Sequence, residues 1–244
     1  MDEEKVEIDV GELDVLRLAY KTFGHSDLMK FLLLEKHRFI DKWLHYIPIY
    51  EKWFAPYRGK EIFFVEIGVQ NGGSIQMWRK YFGKDAKIVG VDINPECKQF
   101  EDVDENIFVE IGSQDDVDFW NAFKEKYPRV DILLDDGGHT MNQQIVTFRE
   151  MFPHIKDGGL YMCEDCHTSY VDSEIFPGGG LRREGTFIEL MKNIIDEINF
   201  PYTLGYLPAT YNTLNLSGLH FYDSIASFVP VLSLNAPAVF VSRY

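Results

Sequence analysis

From residue 61 onward the chain alternates short apolar runs with segments of helical period, and no other feature constrains its fold as much. EIFFVEIG (61–68), KIVGVD (87–92), NIFVEIG (106–112), VDILLDD (130–136) and GGLYMCED (158–165) read as buried strands, each ending at a glycine or an acid. SIQMWRKYFG, a short helix over Pro95 to Glu101, DDVDFWNAFKEKY and NQQIVTFREMFPHI lie between them, and TFIELMKNIIDEIN follows the fifth. Such alternation, at a spacing of roughly 20–25 residues, demands right-handed crossovers and a parallel sheet. LHFYDSI (219–225) and AVFVSR (238–243) read as two last strands with no helix between them, an antiparallel addition at the edge. The expected class is therefore α/β: a doubly wound, mostly parallel seven-stranded sheet over 59–244, preceded by an N-terminal helical cap over 1–58. In the cap, Leu28, Phe31, Leu32, Leu33 and Leu34 give an apolar face, and Pro48 is expected to split DKWLHYIPIYEKWFAPY into two helical pieces.

Charge narrows the function. The 39 acidic side chains against 24 Lys plus Arg give a formal charge of −15. A duplex binder needs a basic face to displace counterions, and an anionic membrane needs the same, so no nucleic acid and no membrane surface is expected as partner. MDEEKVEIDVGELD lacks the basic and apolar regions of a signal peptide. FVPVLSLNAPAVFV, the longest apolar stretch, is broken by Pro230, Asn235 and Pro237, so no membrane insertion is expected. Three cysteines, an odd number, suit a reducing, cytoplasmic setting. Cys163 and Cys166 form a C-x-x-C, but at a strand end rather than a helix start, and no second pair completes a zinc site.

In an open α/β sheet the ligand lies beyond the carboxyl ends of the strands. The first strand ends in Glu66, Gly68, Gly72, Gly73 and Ser74, spaced G-x-x-x-G-G. That spacing is neither the dinucleotide fingerprint nor a P-loop. Asp92, at the end of the second strand, suits two ribose hydroxyls, and Ser113, Gln114 and Asp115 end the third, where a base edge would lie. Glycine loop, ribose carboxylate and polar third-strand end follow the order found in S-adenosylmethionine binders.

The fourth strand ends in Asp135-Asp136-Gly137-Gly138-His139 and the fifth in Glu164-Asp165-Cys166-His167. Carboxylates so crowded repel unless a cation sits among them. Neither motif contains Lys or Arg, and all-oxygen ligands favour a hard divalent ion such as Mg²⁺. Of two successive residues one faces the site and the other the sheet, which favours Asp136, Glu164 and Asp165 as ligands over Asp135. His139 is a candidate general base beside Asp136, its other reading being a helix cap or turn. TSYVDSEIFPGGGLRR (168–183) reads as either a mobile lid or a poorly ordered loop.

DKWLHYIPIYEKWF, VEIGVQNGGSIQMWRKYFG, VGVDINPECK, IGSQDD, DILLDDGGHTMNQQIVTFREMFP, GGLYMCEDCHTSY, TFIELMKNIID and LHFYDSI together resemble the class I S-adenosylmethionine-dependent methyltransferases. More closely they resemble the metal-dependent sugar O-methyltransferases of macrolide tailoring and polysaccharide clusters. The resemblance implies a Rossmann-like methyltransferase fold, with S-adenosylmethionine and Mg²⁺ (or Mn²⁺) as cofactors. It implies a sugar-containing acceptor: a glycan, glycoside or nucleotide-sugar, such as a 6-deoxyhexose. It assigns Asp136, Glu164 and Asp165 to the metal, His139 to the proton, and Glu66, Gly68 and Asp92 to the cofactor. Gly72, Ser74, Ser113, Gln114, Asp115 and Asp135 join the cofactor set, and His167, Tyr170, Arg182 and Tyr50 are acceptor candidates. The cap implies a homo-oligomer. Two positions depart from the family pattern: Gly138 stands where Ser is common, and Val171 where Trp is usual. Competing expectations are a catechol-type O-methyltransferase, a non-catalytic S-adenosylmethionine-binding partner subunit, and a hydroxylase, which would need a redox-active metal.

Overall fold

A computed structural model describes Lys21 and residues 25–230. Seven strands, β1 (Phe63–Ile67), β2 (Lys87–Asp92), β3 (Ile107–Ile111), β4 (Val130–Asp135), β5 (Ile155–Cys163), β6 (Leu216–Phe221) and β7 (Ala226–Pro230), form one sheet. Their order is β3-β2-β1-β4-β5-β7-β6. The first five pair in parallel, and β7 runs antiparallel to both β5 and β6. The order reverses between β1 and β4, and the crevice at their carboxyl ends is where such a sheet accepts a ligand.

Among the described residues seven complete helices flank the sheet: α1 (Asp27–Leu34), α2 (Ile47–Phe54), α3 (Gly73–Phe82), α4 (Val117–Lys126), α5 (Met141–Met151), α6 (Phe187–Ile198) and α7 (Tyr211–Asn215). Period-two alternation sorts the strand residues into two cores. Phe64, Ile132, Leu134, Leu160 and Met162 pack with α1, α2 and α3 around Trp78. Phe63, Val65, Ile67, Leu133 and Tyr161 pack with α4, α5 and α6 around Phe148. Helix starts are set by side chains that accept orphan backbone N–H groups: Asp116 for α4, the Thr140/Gln143 capping box for α5 and Thr186 for α6.

Three expectations need adjustment. The run does form two helical pieces, but Pro48 stands just inside the second rather than between them. It occupies the first turn of α2, where its missing N–H costs nothing, and a 3₁₀ turn over Leu44–Tyr46 leads into it. Leu34 leaves the apolar face and is 69% exposed, whereas Leu28, Met29 and Phe31 are buried. The seventh strand is Ala226–Pro230, returning from β6 through a hairpin in which the Tyr222 N–H donates to the Ile225 carbonyl. Residues 238–243 lie outside the described residues. Among the described residues no helix is long and apolar enough to cross a membrane.

Candidate active site

A cleft of about 510 Å³ opens at the carboxyl ends of β1 to β4. Gly68, Gln70, Asn71, Asp92, Ser113 and Gln114 line one part, and Asp136, His139, Glu164 and Asp165 another. Gly68 has φ +94°, and a Cβ there would lie 2.0 Å from the Asp136 carbonyl, so only glycine lets the β1 loop pass this close to the β4 loop. Asp92 accepts from the Gln70 and Asn94 N–H groups at 2.9 and 2.8 Å, which fixes its carboxylate at the cleft wall. Gln70 and Asn71 were missed from sequence, where the intervals between the glycines carry no chemical pattern of their own.

Several expected cofactor residues turn inward instead. Glu66 is fully buried and accepts from Ser74 Oγ at 2.7 Å and Trp78 Nε1 at 2.8 Å, so Glu66 and Ser74 tie α3 to β1 and do not line the cleft. Burial pushes the Glu66 carboxyl up to about 7, against the pull of Lys42. Gly72 lies behind the cleft wall as the left-handed start of α3, φ +71°, with Phe100 packed against it. Gln114 borders the cleft, but its amide is spent internally. It donates to Asp135 Oδ1 at 2.9 Å and to Thr147 Oγ1 at 3.1 Å, and accepts from the Gly138 N–H at 2.6 Å. Asp135 also accepts from the Tyr161 hydroxyl at 3.2 Å, and burial pushes its carboxyl up to about 7. Asp135 thus holds the β4 loop in place and is not at the cleft surface. Asp115 accepts from Asn142 Nδ2 at 3.2 Å, outside the cleft lining.

The acidic cluster assembles as expected, with one partner that the motifs do not contain. Lys42, from the cap, inserts its ammonium among three strand ends. It donates to Asp136 Oδ2, lies 3.3 and 3.1 Å from Glu164 Oε1 and Oε2, and sits 3.7 Å from Glu66 Oε1. Its side chain is only 3% exposed. Burial disfavours that charge, but Asp136, Glu164 and Glu66 outweigh it and hold the ammonium well above its usual range. Glu164 further accepts from the buried Tyr50 hydroxyl at 2.5 Å. Burial and the adjacent Asp136 charge raise the Glu164 carboxyl well above the usual range, and burial likewise raises Asp136.

Asp165 stands at φ +52°, and its Oδ1 accepts from the Tyr46 hydroxyl at 2.7 Å. His139, at φ +58°, places Nε2 3.3 Å from Asp165 Oδ2 and 3.8 Å from Asp136 Oδ1. Its Nδ1 is buried with no hydrogen-bond partner among the described residues. Asp136, His139 and Asp165 each offer a ligand atom, all within 4.8 Å of one another, so the donor set fits a divalent cation. Glu164 can join only where Lys42 releases it, since Tyr50 bonds its Oε1 and leaves Oε2 to Lys42 alone. His167 pairs its Nδ1 with Ser224 Oγ at 2.7 Å and lies beside Trp43, with ring centroids 5.9 Å apart. Tyr170 and Arg182 are exposed and do not border the cleft. The segment after Tyr170 folds back on itself: Gly179 lies under the Val171 carbonyl, and Arg183 bonds Asp172 at 2.7 Å.

Residues 65–166 match the family described as "Methyltransferase domain". The chain is 34% identical over 198 residues to the 8-demethyl-8-(2-methoxy-alpha-L-rhamnosyl)-tetracenomycin-C 3'-O-methyltransferase of Streptomyces olivaceus, a match covering 75% of this chain and 48% of that protein. It is also 34% identical over 200 residues to the mycinamicin VI 2''-O-methyltransferase of Micromonospora griseorubida, covering 75% of this chain and 47% of that protein. The chain spans about half the length of these curated relatives. Among solved structures, the MycE methyltransferase from the mycinamycin biosynthetic pathway, in complex with Mg and SAH, superposes with a TM-score of 0.72 at 24% identity, covering 100% of this chain and 70% of that one. That likeness extends the fold to the cap and the β6–β7 hairpin.

Proposed function

We propose that the protein, whose residues 65–166 match a methyltransferase-domain family, transfers a methyl group from S-adenosylmethionine to a hydroxyl of a sugar-bearing acceptor, with a divalent cation held at the acidic cluster. The relatives' activities, O-methylation of a rhamnosyl tetracenomycin and of mycinamicin VI, support the acceptor class. The observation that carries the reading is the convergence of Asp136, Glu164, Asp165 and His139 at the rim of a cleft whose far wall offers Asp92. Asp136 and Asp165, joined by Glu164, are the groups to hold the cation. When bound, S-adenosylmethionine supplies the electrophilic methyl, and the cation lowers the pKa of the acceptor hydroxyl.

The chain's own residues account for the rest. Asp92, its carboxylate fixed by two backbone N–H groups, has lone pairs left to accept from a ribose diol. Gly68 leaves room for a ligand at the switch point, where any side chain would strike the Asp136 backbone. His139 Nε2 faces the cluster and is the atom to take the acceptor's proton, with Asp165 and Asp136 stabilising the imidazolium that results. The His139 ring is held at the cleft by the left-handed turn that carries it.

The test is methyl transfer from S-adenosylmethionine to a panel of 6-deoxysugar glycosides. Activity should vanish in EDTA and in Asp136→Asn, and Mg²⁺ or Mn²⁺ should restore it in the unaltered protein. Transfer indifferent to both perturbations refutes the cation role; transfer to catechols but to no sugar refutes the acceptor class.

A further inference from the structure

We propose that Lys42 is a built-in competitor for the cation: its ammonium fills the carboxylate cage of the metal-free protein and must leave Asp136 and Glu164 for a divalent ion to bind. The inference rests on the cation site proposed above. The geometry leaves little choice. Lys42 Nζ contacts Asp136 Oδ2 and both Glu164 oxygens, the latter at 3.1 and 3.3 Å, with Glu66 Oε1 at 3.7 Å. A hard cation binds carboxylate oxygens at about 2.0–2.6 Å. An ion on those oxygens would occupy the space the ammonium now fills and would repel it.

Neither group can be left without the other. Glu66 and Glu164 are 0 and 1% exposed, so removing Lys42 without replacing it strands buried acids with no counterion. An exit exists on the cleft side, because Asp41, Lys42 and Trp43 all border the cleft and both neighbours are exposed. The four-carbon stem of lysine reorients without moving the backbone. Two consequences follow. Metal affinity is set by the difference between two cations rather than by the carboxylates alone. A monovalent ion brings no more charge than the ammonium it must displace, whereas a divalent ion brings twice as much, so the lysine makes the site selective for charge.

Two measurements test this without relying on turnover. In the first, Mn²⁺ is titrated calorimetrically into the protein and into Lys42→Met, which keeps the length and removes the charge. The variant should bind at least about tenfold more tightly, and Mn²⁺ should raise its melting temperature more than that of the parent. In the second, the unaltered protein is acetylated with acetic anhydride, with and without saturating Mn²⁺, and digested for mass spectrometry, with exposed Lys84 as the internal reference. Lys42 should be protected in the metal-free protein and modified in the loaded one. Equal Mn²⁺ affinity in parent and variant, or Lys42 protected in both states, overturns the competition. Absence of Mn²⁺ binding to either protein overturns the cation site itself and this inference with it. The labelling arm needs no variant, so misfolding of Lys42→Met does not shelter the proposal.

Discussion

Replacing Tyr50 with Phe isolates a single hydrogen bond between the cap and the site. The Tyr50 ring packs on Phe54 and Trp78, with centroids 5.6 and 5.2 Å away, and Phe keeps all of that contact. What disappears is the hydroxyl, which donates to Glu164 Oε1 at 2.5 Å. Tyr50 is 0% exposed and Glu164 1%, so water does not readily take the vacated position. Burial, helped by the Glu164 charge, holds the phenol well above its usual range, so it stays a donor throughout the accessible pH range. Loss of one buried hydrogen bond to a charged acceptor costs about 1.5–3 kcal/mol. Lys42 remains on Glu164 and keeps the loss from growing larger. For a domain of this size, each kcal/mol lowers the melting temperature by roughly 2–4 °C, so Tyr50→Phe should melt roughly 3–12 °C below the parent in EDTA. Circular dichroism melts read this directly, with Tyr206→Phe as a control on a tyrosine that is 88% exposed. A Tyr50→Phe melting point within about 1 °C of the parent would show that the hydroxyl does not hold Glu164, and the account of the cage would fail.

Three further outcomes are expected. His139→Ala should lower kcat by about 10²–10⁴-fold while S-adenosylhomocysteine binding, measured by calorimetry, stays unchanged; full turnover removes His139 as the base. Gly68→Ala forces a Cβ to 2.0 Å from the Asp136 carbonyl at φ +94°, and should destabilise the fold by about 2–4 kcal/mol and loosen cofactor binding together; a stable variant with normal binding contradicts the close approach. Asp135 has its pKa raised to about 7 in the folded state, above that of the unfolded chain, so the native protein holds this proton more tightly. Its contribution is therefore full at acid pH and lost as pH rises through about 4 to 7, at up to ~1.4 kcal/mol per pH unit. Asp135→Asn should flatten the stability profile across pH 5 to 7 in urea titrations, and an unchanged slope rules that source out.

Sequence logic reached the five parallel strands and the strand-end chemistry because both are local. Asp92, Asp136, His139 and Asp165 sit where a βαβ unit must place them, at the carboxyl ends of their strands. The orientation of Glu66 was legible too, had the alternation along β1 been followed: Val65 and Ile67 face one core, so Glu66 faces the other, toward Trp78. Lys42 was not legible. It lies 94 positions from Asp136 and 122 from Glu164, in a segment whose pattern speaks only of aromatic packing, and nothing local marks it as their partner. The β7 strand was hidden for a different reason: Phe228, Val229 and Pro230 read as the start of one long apolar stretch rather than the second arm of a hairpin.

The cap shares its core with the sheet, since Tyr50 and Phe54 pack with Phe64 and Trp78, and it also supplies Lys42, Tyr46 and Tyr50 to the carboxylates. A cut near residue 58, where composition suggests a seam, would therefore not leave the cleft intact. It would take away part of the cleft lining along with three of the groups that hold the acids in place. Hydrogen exchange should find the α2 amides and those of β1 opening together, as one cooperative unit, so that any event loosening the cap also loosens the acidic cluster.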